Sequence, residues 1–500
     1  MKKRDHKILT QNKRKLATRL KRKNYSDQAE PMFQSGNLHY EMAERGRAIG
    51  FGGIGAVHTL VTRLGLDVAI NKNVPLLKTH VPYFESDHVL NISYNVLTGG
   101  TCLEDIDRLR DDPSYAEGLS AERIPDPTTA GDFLRRFGVA DVTRLQETIN
   151  QARRKVWARQ PKAFFRKGII DVDGTLAPTT GECKQGMDIS YKGIWGYAPL
   201  IVSLANTKET LYLVNRPGNQ TSSSGAAEWI DRSIEVAADF DELWLRGDTD
   251  FSLTEHLDKW DQKVKFVLGY DARPNLVALA RQIAETAWQQ LERPAPYEIQ
   301  TEPRTRPENI KERIVREREY KNIRLESEQV AEFVYQPGKC QKGYRMVVVR
   351  KNLSVEKGEQ VLFDDIRYFF YLTNDTSLNA TEIVFFANQR CDQENVIEQL
   401  KNGVNALRMP TEDLVSNWAY MVIAALGWNL KSWYGLMAPD KSVGLAIVRM
   451  EFKRFLHSFI LIPCQIVTTG RRLVFRVLTY TRHLAAFFQT FDVLKRVRFG

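Results

Sequence analysis

Residues 168–178 read GIIDVDGTLAP. An Ile/Val-rich start ended by glycine and proline is the composition of a buried strand. Residues two apart on a strand leave the same face, so Asp171 and Asp173 project together. Gly174 then leaves room for a ligand to come close, and Thr175 can bond to backbone or phosphate. Such a stretch does phosphate chemistry, but of two possible kinds. Asp171 could be a covalent nucleophile, or Asp173 could be one ligand of a metal site completed elsewhere. The rest of the chain decides.

Downstream, YKGIWGYAPLIVSLANTKETLYLVNRPG (191–218) predicts two strands joined by a turn at ANTKET. A helix follows over 223–240, capped by a serine cluster, then a strand ELWLRGD, a helix around SLTEHLDKW and a strand KVKFVLGYD. A three-strand meander followed by helix, strand, helix, strand is the ribonuclease H-like order, with the first and fourth strands side by side. The fold class expected is therefore α/β: an RNase H-like catalytic core interrupted by a β-rich insertion, with an N-terminal helical domain.

The expected organisation is a flexible basic arm at 1–45, then a helical segment at 46–160 that is either a DNA-end-binding domain or a plain scaffold. Within it IPDPTTAGDFLRRF predicts a helix capped by Thr128 or Thr129. The core begins at 161–274, and the β-rich insertion occupies 275–375. Helical pattern returns over 376–440, and a basic segment with a hairpin at TTGRR closes the chain over 441–500.

With 500 residues, 43% hydrophobic and 26% charged, the chain reads as a globular protein of several units. Its most apolar run, NWAYMVIAALGWNLKSWYGLM, contains Asn417, Asn429 and Lys431 and predicts a buried helix, so no membrane partner is expected. No apolar export signal follows the charged start. Five scattered cysteines, 102, 183, 340, 391 and 464, contain no C-x-x-C pair, which excludes a zinc ribbon and fits a reducing cytoplasm.

Net charge is +10, and the ends carry it. Residues 1–23 hold eleven Lys/Arg against Asp5 alone; residues 441–500 hold eleven against Glu451 and Asp492. A chain basic at both ends is suited to a polyanion, and Lys13, Arg14 and Lys15 are candidate DNA contacts. A nuclear-localisation reading of KRKLATRLKRK has the same composition.

Two further acid sites join the first. In LRGDTDF, Asp248 ends a predicted strand, with Asp250 two residues on. Carboxylates from neighbouring strand ends can share a divalent cation such as Mg²⁺, which prefers oxygen ligands. In NQRCDQENVIEQLKNGV, a single helix would align Arg390, Glu394, Ile397, Glu398 and Lys401 along one face. That combination offers a metal ligand flanked by two cations for phosphate.

DVDGTLAPTTGE, YKGIWGYAPL, RGDTDF and R-x3-E-x6-K, in this order, resemble the DDE transposases of bacterial insertion sequences, in the group with a Y-R-E-K signature. They look most like insertion-sequence family thirteen-eighty, over about residues 50 to 470. The resemblance implies metal-dependent cleavage of DNA at terminal inverted repeats and strand transfer into target DNA. It implies Asp173, Asp248 and Glu394 as catalytic and metal-binding triad, holding two Mg²⁺ with Mn²⁺ able to substitute. Arg390 and Lys401 would lie at DNA phosphates. Asp171, Asp250 and Glu398 are the alternates. An insertion aromatic would stack on a flipped base, with Phe369 nominated and Tyr368 as alternate. The partners implied are double-stranded DNA and a second copy of the chain in a synaptic homodimer, in the cytoplasm at the nucleoid. The signature tyrosine falls at 387, where this chain has Ala387. Trp195 and Tyr197 are expected to be strand packing near Asp173.

Two rival readings remain. A haloacid dehalogenase-like phosphatase would use Asp171 as nucleophile and Asp173 as acid/base. A transposase-derived DNA-binding protein would keep the fold without cutting.

Overall fold

A computed structural model describes residues 3–21, 38–39, 46–293, 310–318, 321–357, 360–470 and 472–499. At its centre is a nine-stranded mixed sheet. Its strands, in chain order, are β1 (Gly168–Gly174), β2 (Leu200–Leu204), β3 (Glu209–Val214), β4 (Leu243–Gly247), β5 (Lys265–Tyr270), β6 (Gln289–Gln290), β7 (Lys321–Tyr335), β8 (Tyr344–Lys357) and β9 (Gln360–Thr373). In space they run β6-β7-β8-β9-β5-β4-β1-β2-β3. β1, β2 and β3 are mutually antiparallel neighbours, whereas β1–β4 and β4–β5 are parallel. A tight turn suffices to link β2 to β3, while the parallel neighbours need longer crossovers.

The helices that matter to the site and its support are α1 (Lys3–Lys21), α2 (Glu85–Leu97), α3 (Val139–Trp157), α4 (Ala226–Val236), α5 (Ala380–Asn388), α6 (Cys391–Glu398), α7 (Leu414–Leu436) and α8 (Leu484–Arg496). α4 supplies the crossover from β3 to β4. α7 is the apolar run picked out in the sequence, and Asn417, Asn429 and Lys431 all find partners inside the protein. Asn417 exchanges hydrogen bonds with the backbone of Thr411 at 2.9 Å, and the Asn429 Oδ1 accepts from the Thr210 N–H at 2.9 Å. Lys431 Nζ donates to the carbonyls of Val448 and Met450 at 2.8 and 2.7 Å. Left unpaired, each such group would cost about 1–3 kcal/mol. Among the described residues no helix is long and apolar enough to cross a membrane. All five cysteines are free thiols.

A second buried node fastens the helices to the sheet edge. Glu209 starts β3 and takes Arg153 Nε from α3 at 2.8 Å, Trp157 Nε1 at 2.9 Å and Trp433 Nε1 from α7 at 2.6 Å. One carboxylate thus joins α3, β3 and α7.

Several expectations are altered. The start of the basic arm is helical: α1 turns Leu9 and Leu16 toward the protein and packs on α8, while Lys13, Arg14 and Lys15 stay exposed. Positions 5, 9, 12 and 16 share one helical face, which is what lets a charged segment dock. The rest of the arm, 22–37 and 40–45, lies outside the described residues. The helices of the 46–160 segment pack on the later part of the chain. α2 and α3 pack on α7, and Ala48–Ile49 pairs with Cys464–Thr469, one arm of the C-terminal hairpin whose other arm is Arg472–Val477. The cap of the 127–134 helix is Asp126, whose carboxylate accepts the Thr129 N–H at 2.8 Å, because Pro127 already occupies the first helical position. Gly225 stands at the start of α4 in place of a serine.

The insertion is also not a separate body. β9 pairs with β5, Phe370 opposite Tyr270, so β7, β8 and β9 extend the core sheet itself. In the charged stretch preceding it, a helix covers Ile310–Glu317, and residues 294–309 and 319–320 lie outside the described part.

Candidate active site

Asp171 and Asp173 share β1, but the structure gives them different tasks. Asp171 is opposite Arg246 in the parallel register of β1 and β4. Arg246 donates Nε and Nη2 to its two carboxylate oxygens, both at 2.7 Å, and Nη1 to the carbonyl of Phe386 at 3.0 Å. Both partners are buried, at 1% and 2% side-chain exposure. Burial pushes the Asp171 carboxyl up, and the bidentate guanidinium opposes it. Both Asp171 oxygens are thus engaged by one buried guanidinium, in contrast to the more open Asp173.

Two residues further along each strand come Asp173 and Asp248, at the same end of neighbouring parallel strands. Neighbouring strands lie about 4.8 Å apart. Burial raises the Asp173 carboxyl to about 6; Arg390 opposes this and the negative charge of Asp248 adds to it. Asp248 is raised as well, by burial first, with Arg390 again opposing and Asp250 and Asp271 adding. One guanidinium therefore faces two carboxylates, and Arg390 Nη1 is bonded to Asp173 Oδ2 at 2.8 Å. Asp248 ends β4 and caps the next turn, its Oδ1 accepting the Asp250 N–H at 3.0 Å. Asp250 offers that backbone group while its side chain is exposed. The space beside Gly174 is filled by protein: a Cβ there would meet Ser222 at 3.0 Å, so the glycine admits Ser222 and not a ligand.

The third site departs from a single straight helix. α5 ends at Asn388, Arg390 stands in the break, α6 begins at Cys391, and residues Gln399–Gly403 widen into a π-helical turn. Widening moves Lys401 off the face predicted by 3.6-residue spacing. Ile397 is buried with Gln393 and Val396, so it leaves the face of Glu394 and Glu398, which are both exposed. Lys401 is half-buried, and burial lowers its ammonium pKa against the pull of Glu398 and Asp173. The break thus aims Arg390 at Asp173, and the π turn brings Lys401 within its electrostatic reach.

Gln393 gave no signal in the sequence. It is buried, accepts a hydrogen bond from Ser203 Oγ and donates Nε2 to the Ile201 carbonyl at 3.3 Å. Ser203 and Ile201 are the β2 register partners of Asp171 and Asp173. Gln393 thereby fixes α6, and its neighbour Glu394, against the strand pair that carries the aspartates. Asp271, just beyond β5, was also missed because nothing in GYDARP marks it until β5 lies beside β4.

Two partly desolvated carboxylates beside one guanidinium offer oxygen donors, the chemistry that a hard divalent cation such as Mg²⁺ prefers. Glu394 stands on the adjacent helix, and among the described residues no three His, Cys, Asp or Glu side chains are gathered closely enough to hold a metal. Asp173 and Asp248 are the two carboxylates that the strand ends bring side by side.

The aromatics separate by exposure. Phe369 on β9 is exposed, with Lys351 Nζ over its ring at 5.0 Å, whereas Tyr368 packs near Trp288 and Phe370. Tyr197 is buried and donates its hydroxyl to the Gln185 carbonyl at 3.0 Å, as strand packing requires. Trp195 is not packing: it is 53% exposed. Ala387 lies on α5, and Tyr371 of β9 reaches the neighbouring Asn388 Oδ1 at 3.5 Å.

A family model described as transposase DDE domain group 1 matches residues 41–499. No curated protein matches. Among solved structures, a piggyBac transposase synaptic complex with hairpin DNA aligns over 83% of this chain and 84% of that one, at 12% identity and a TM-score of 0.33. At that score the likeness carries nothing further about this chain.

Proposed function

The chain belongs to the transposase DDE domain group 1 family, and from that premise we propose that it is the transposase of a bacterial insertion sequence, cutting DNA at terminal inverted repeats and joining the freed end to target DNA. The observation that carries this reading is the pairing of Asp173 and Asp248 at adjacent parallel strand ends, with Arg390 bonded to one and electrostatically coupled to both. The strand sequence β3-β2-β1-β4-β5, antiparallel on one side of β1 and parallel on the other, supports an RNase H-like core. The order of motifs supports insertion-sequence family thirteen-eighty.

Asp173 and Asp248 would hold the metal, and Glu394 would have to be drawn in from the adjacent helix to complete the set. Two Mg²⁺ bound there, or Mn²⁺ in their place, would supply charge to polarise the scissile phosphate and lower the pKa of an attacking water or 3′-hydroxyl. The chain's own residues do the remainder. Arg390 keeps Asp173 oriented before DNA arrives and can exchange that partner for a phosphate oxygen. Lys401 adds a second cation at the same edge. Gln393 holds α6 in register with β2, so that Glu394 approaches from one fixed side. Asp171 and Arg246 brace the strands beneath.

Because both Asp171 oxygens are engaged by Arg246, that ion pair weighs against the covalent phosphatase reading. DNA ends must be brought together for joining, so the working unit proposed is a homodimer on double-stranded DNA, at the nucleoid. The test is incubation with a duplex carrying the inverted repeat that flanks the reading frame. Mg²⁺-dependent nicking at the repeat, abolished by Asp173→Asn and by Asp248→Asn, is expected. Binding without nicking in either Mg²⁺ or Mn²⁺ would leave a DNA-binding protein that does not cut.

A further inference from the structure

The two aspartates of β1 each meet an arginine, and the two pairs are built differently. Arg246 grips both oxygens of Asp171 at 2.7 Å, with side chains 2 and 1% exposed. Arg390 reaches Asp173 through Nη1 to Oδ2 at 2.8 Å, and these side chains are 22 and 14% exposed. The first pair is shut in the sheet. The second is a single contact at the edge of solvent, made to the strand end that stands beside Asp248.

The backbone that carries Arg390 has little freedom. Its N–H donates to the Ala387 carbonyl at 3.1 Å, and its carbonyl accepts the Gln393 N–H at 2.8 Å. Each flanking helix is tied to the sheet. The Phe386 carbonyl of α5 accepts Arg246 Nη1 from β4 at 3.0 Å, and Gln393 of α6 reaches Ser203 and Ile201 of β2. These ties leave the long side chain as the part of Arg390 that can move.

A guanidinium and a divalent cation compete for this carboxylate on unequal terms. The guanidinium is weakly hydrated and tethered, so it is present at a high effective concentration whatever the solution contains. Mg²⁺ must give up hydration water and approach a like charge. The strand-end pair is therefore partly neutralised from within the chain.

We propose that Arg390 is a latch on the strand-end carboxylates: in the free protein it occupies Asp173 and holds divalent cations off, and an oxyanion that draws the guanidinium away opens the pair to the ion. The proposal rests on the reading of this centre as a DNA-cutting site, whose phosphodiester is that oxyanion. Metal loading then follows substrate, and the free protein is kept from cutting DNA at random.

The test uses the full-length protein with Mn²⁺ alone, read from the loss of the free-ion signal in electron paramagnetic resonance. Wild type is expected to bind the ion weakly. Arg390→Gln should bind it at least about tenfold more tightly, as release from one charge-assisted hydrogen bond predicts, with Arg390→Lys in between. Adding Asp173→Asn to Arg390→Gln should abolish the gain. Damage to the fold does not raise affinity at a chosen carboxylate, so this readout separates a latch from a brace. Unchanged or weaker binding in Arg390→Gln overturns the proposal and makes Arg390 a support for Asp173. So does a gain that survives Asp173→Asn.

A second arm adds a saturating duplex with the flanking inverted repeat, using Asp173→Asn on the same duplex as the blank for ions held by DNA. The duplex should raise the Mn²⁺ affinity of wild type by at least about tenfold more than it raises that of Arg390→Gln, because only wild type has a latch to release. Equal increases would overturn the proposal. Should wild type nick no repeat duplex in Mg²⁺ or Mn²⁺ while Arg390→Gln gains its Asp173-dependent ion, the activity reading falls and the latch stands.

Discussion

Asp171 and Arg246 face each other across two parallel strands and close an ion pair with both contacts at 2.7 Å, two residues before the pair that the site leaves open. Breaking a buried pair by removing one partner strands the other charge. Asp171→Ala should therefore lower stability by about 3–5 kcal/mol, measured by urea unfolding. A loss below about 1 kcal/mol would mean that Arg246 finds other partners and that the brace is not needed.

Asp173 should behave in the opposite way. Its carboxyl is raised from 3.8 to about 6 in the folded protein. Between those values the native state keeps a proton that the unfolded chain has released, so this residue makes stability fall as pH rises through that window. Above about pH 6 the cost levels off at no more than about 3 kcal/mol, taking 1.36 kcal/mol per pH unit. Without divalent ions, Asp173→Asn should melt at higher temperature than wild type at about pH 8 and match it below about pH 4. A lower melting temperature at pH 8 would show that the Arg390 contact outweighs burial.

Glu394 and Glu398 are both exposed one turn apart on α6, but Glu398 already accepts the Asn402 amide at 2.6 Å. A metal ligand worth several kcal/mol to the transition state predicts a loss of about a thousandfold or more in nicking for Glu394→Gln. Glu398→Gln should cost less than about tenfold, and neither should move the melting temperature appreciably. Reversed sensitivities would transfer the third ligand to Glu398.

The neighbouring of the core strands could be read from the sequence because most of them are apolar runs closed by Asp, Gly or Pro, and the turn at ANTKET leaves β2 and β3 little choice but to pair. The difference between Asp171 and Asp173 could not. It depends on Arg246, an ordinary residue of LWLRG until β4 aligns beside β1. Likewise, a helical face drawn at 3.6 residues per turn cannot foresee the break at Arg390 or the π turn at Lys401, which lies against Phe452, whose N–H donates to Gln399 Oε1 at 2.8 Å. The opposite error occurred at Trp195, where aromatic strand composition implied burial, yet its strand belongs to a small sheet with one open face.

The exposed cations of α1 invite a salt test. Lys13, Arg14 and Lys15 stand clear of the contact with α8. If each neutralises one phosphate, changing all three to alanine should flatten the slope of log affinity against log salt by up to about 2.7 and weaken all duplexes alike. Selective loss for the terminal repeat alone would point to base recognition by this helix.

Gln393 offers the most direct check that α6 is held by β2. Its Oε1 accepts from Ser203 Oγ, and its Nε2 donates to the Ile201 carbonyl. Gln393→Leu leaves the serine hydroxyl and that carbonyl buried without their partner, and Ser203→Ala leaves the amide oxygen short of a donor, so each should cost about 1–3 kcal/mol. Removing both polar groups together spares the unpaired penalty on one side, and the double variant should lose less than the sum of the singles by at least about 0.5 kcal/mol. Nicking should fall in Gln393→Leu with little change in duplex affinity, because the residue touches the helix that carries Glu394 and no DNA-facing cation. Additive energies would mean the two side chains do not meet, and an equal loss of affinity and nicking would place Gln393 in DNA binding instead of in orienting the third carboxylate.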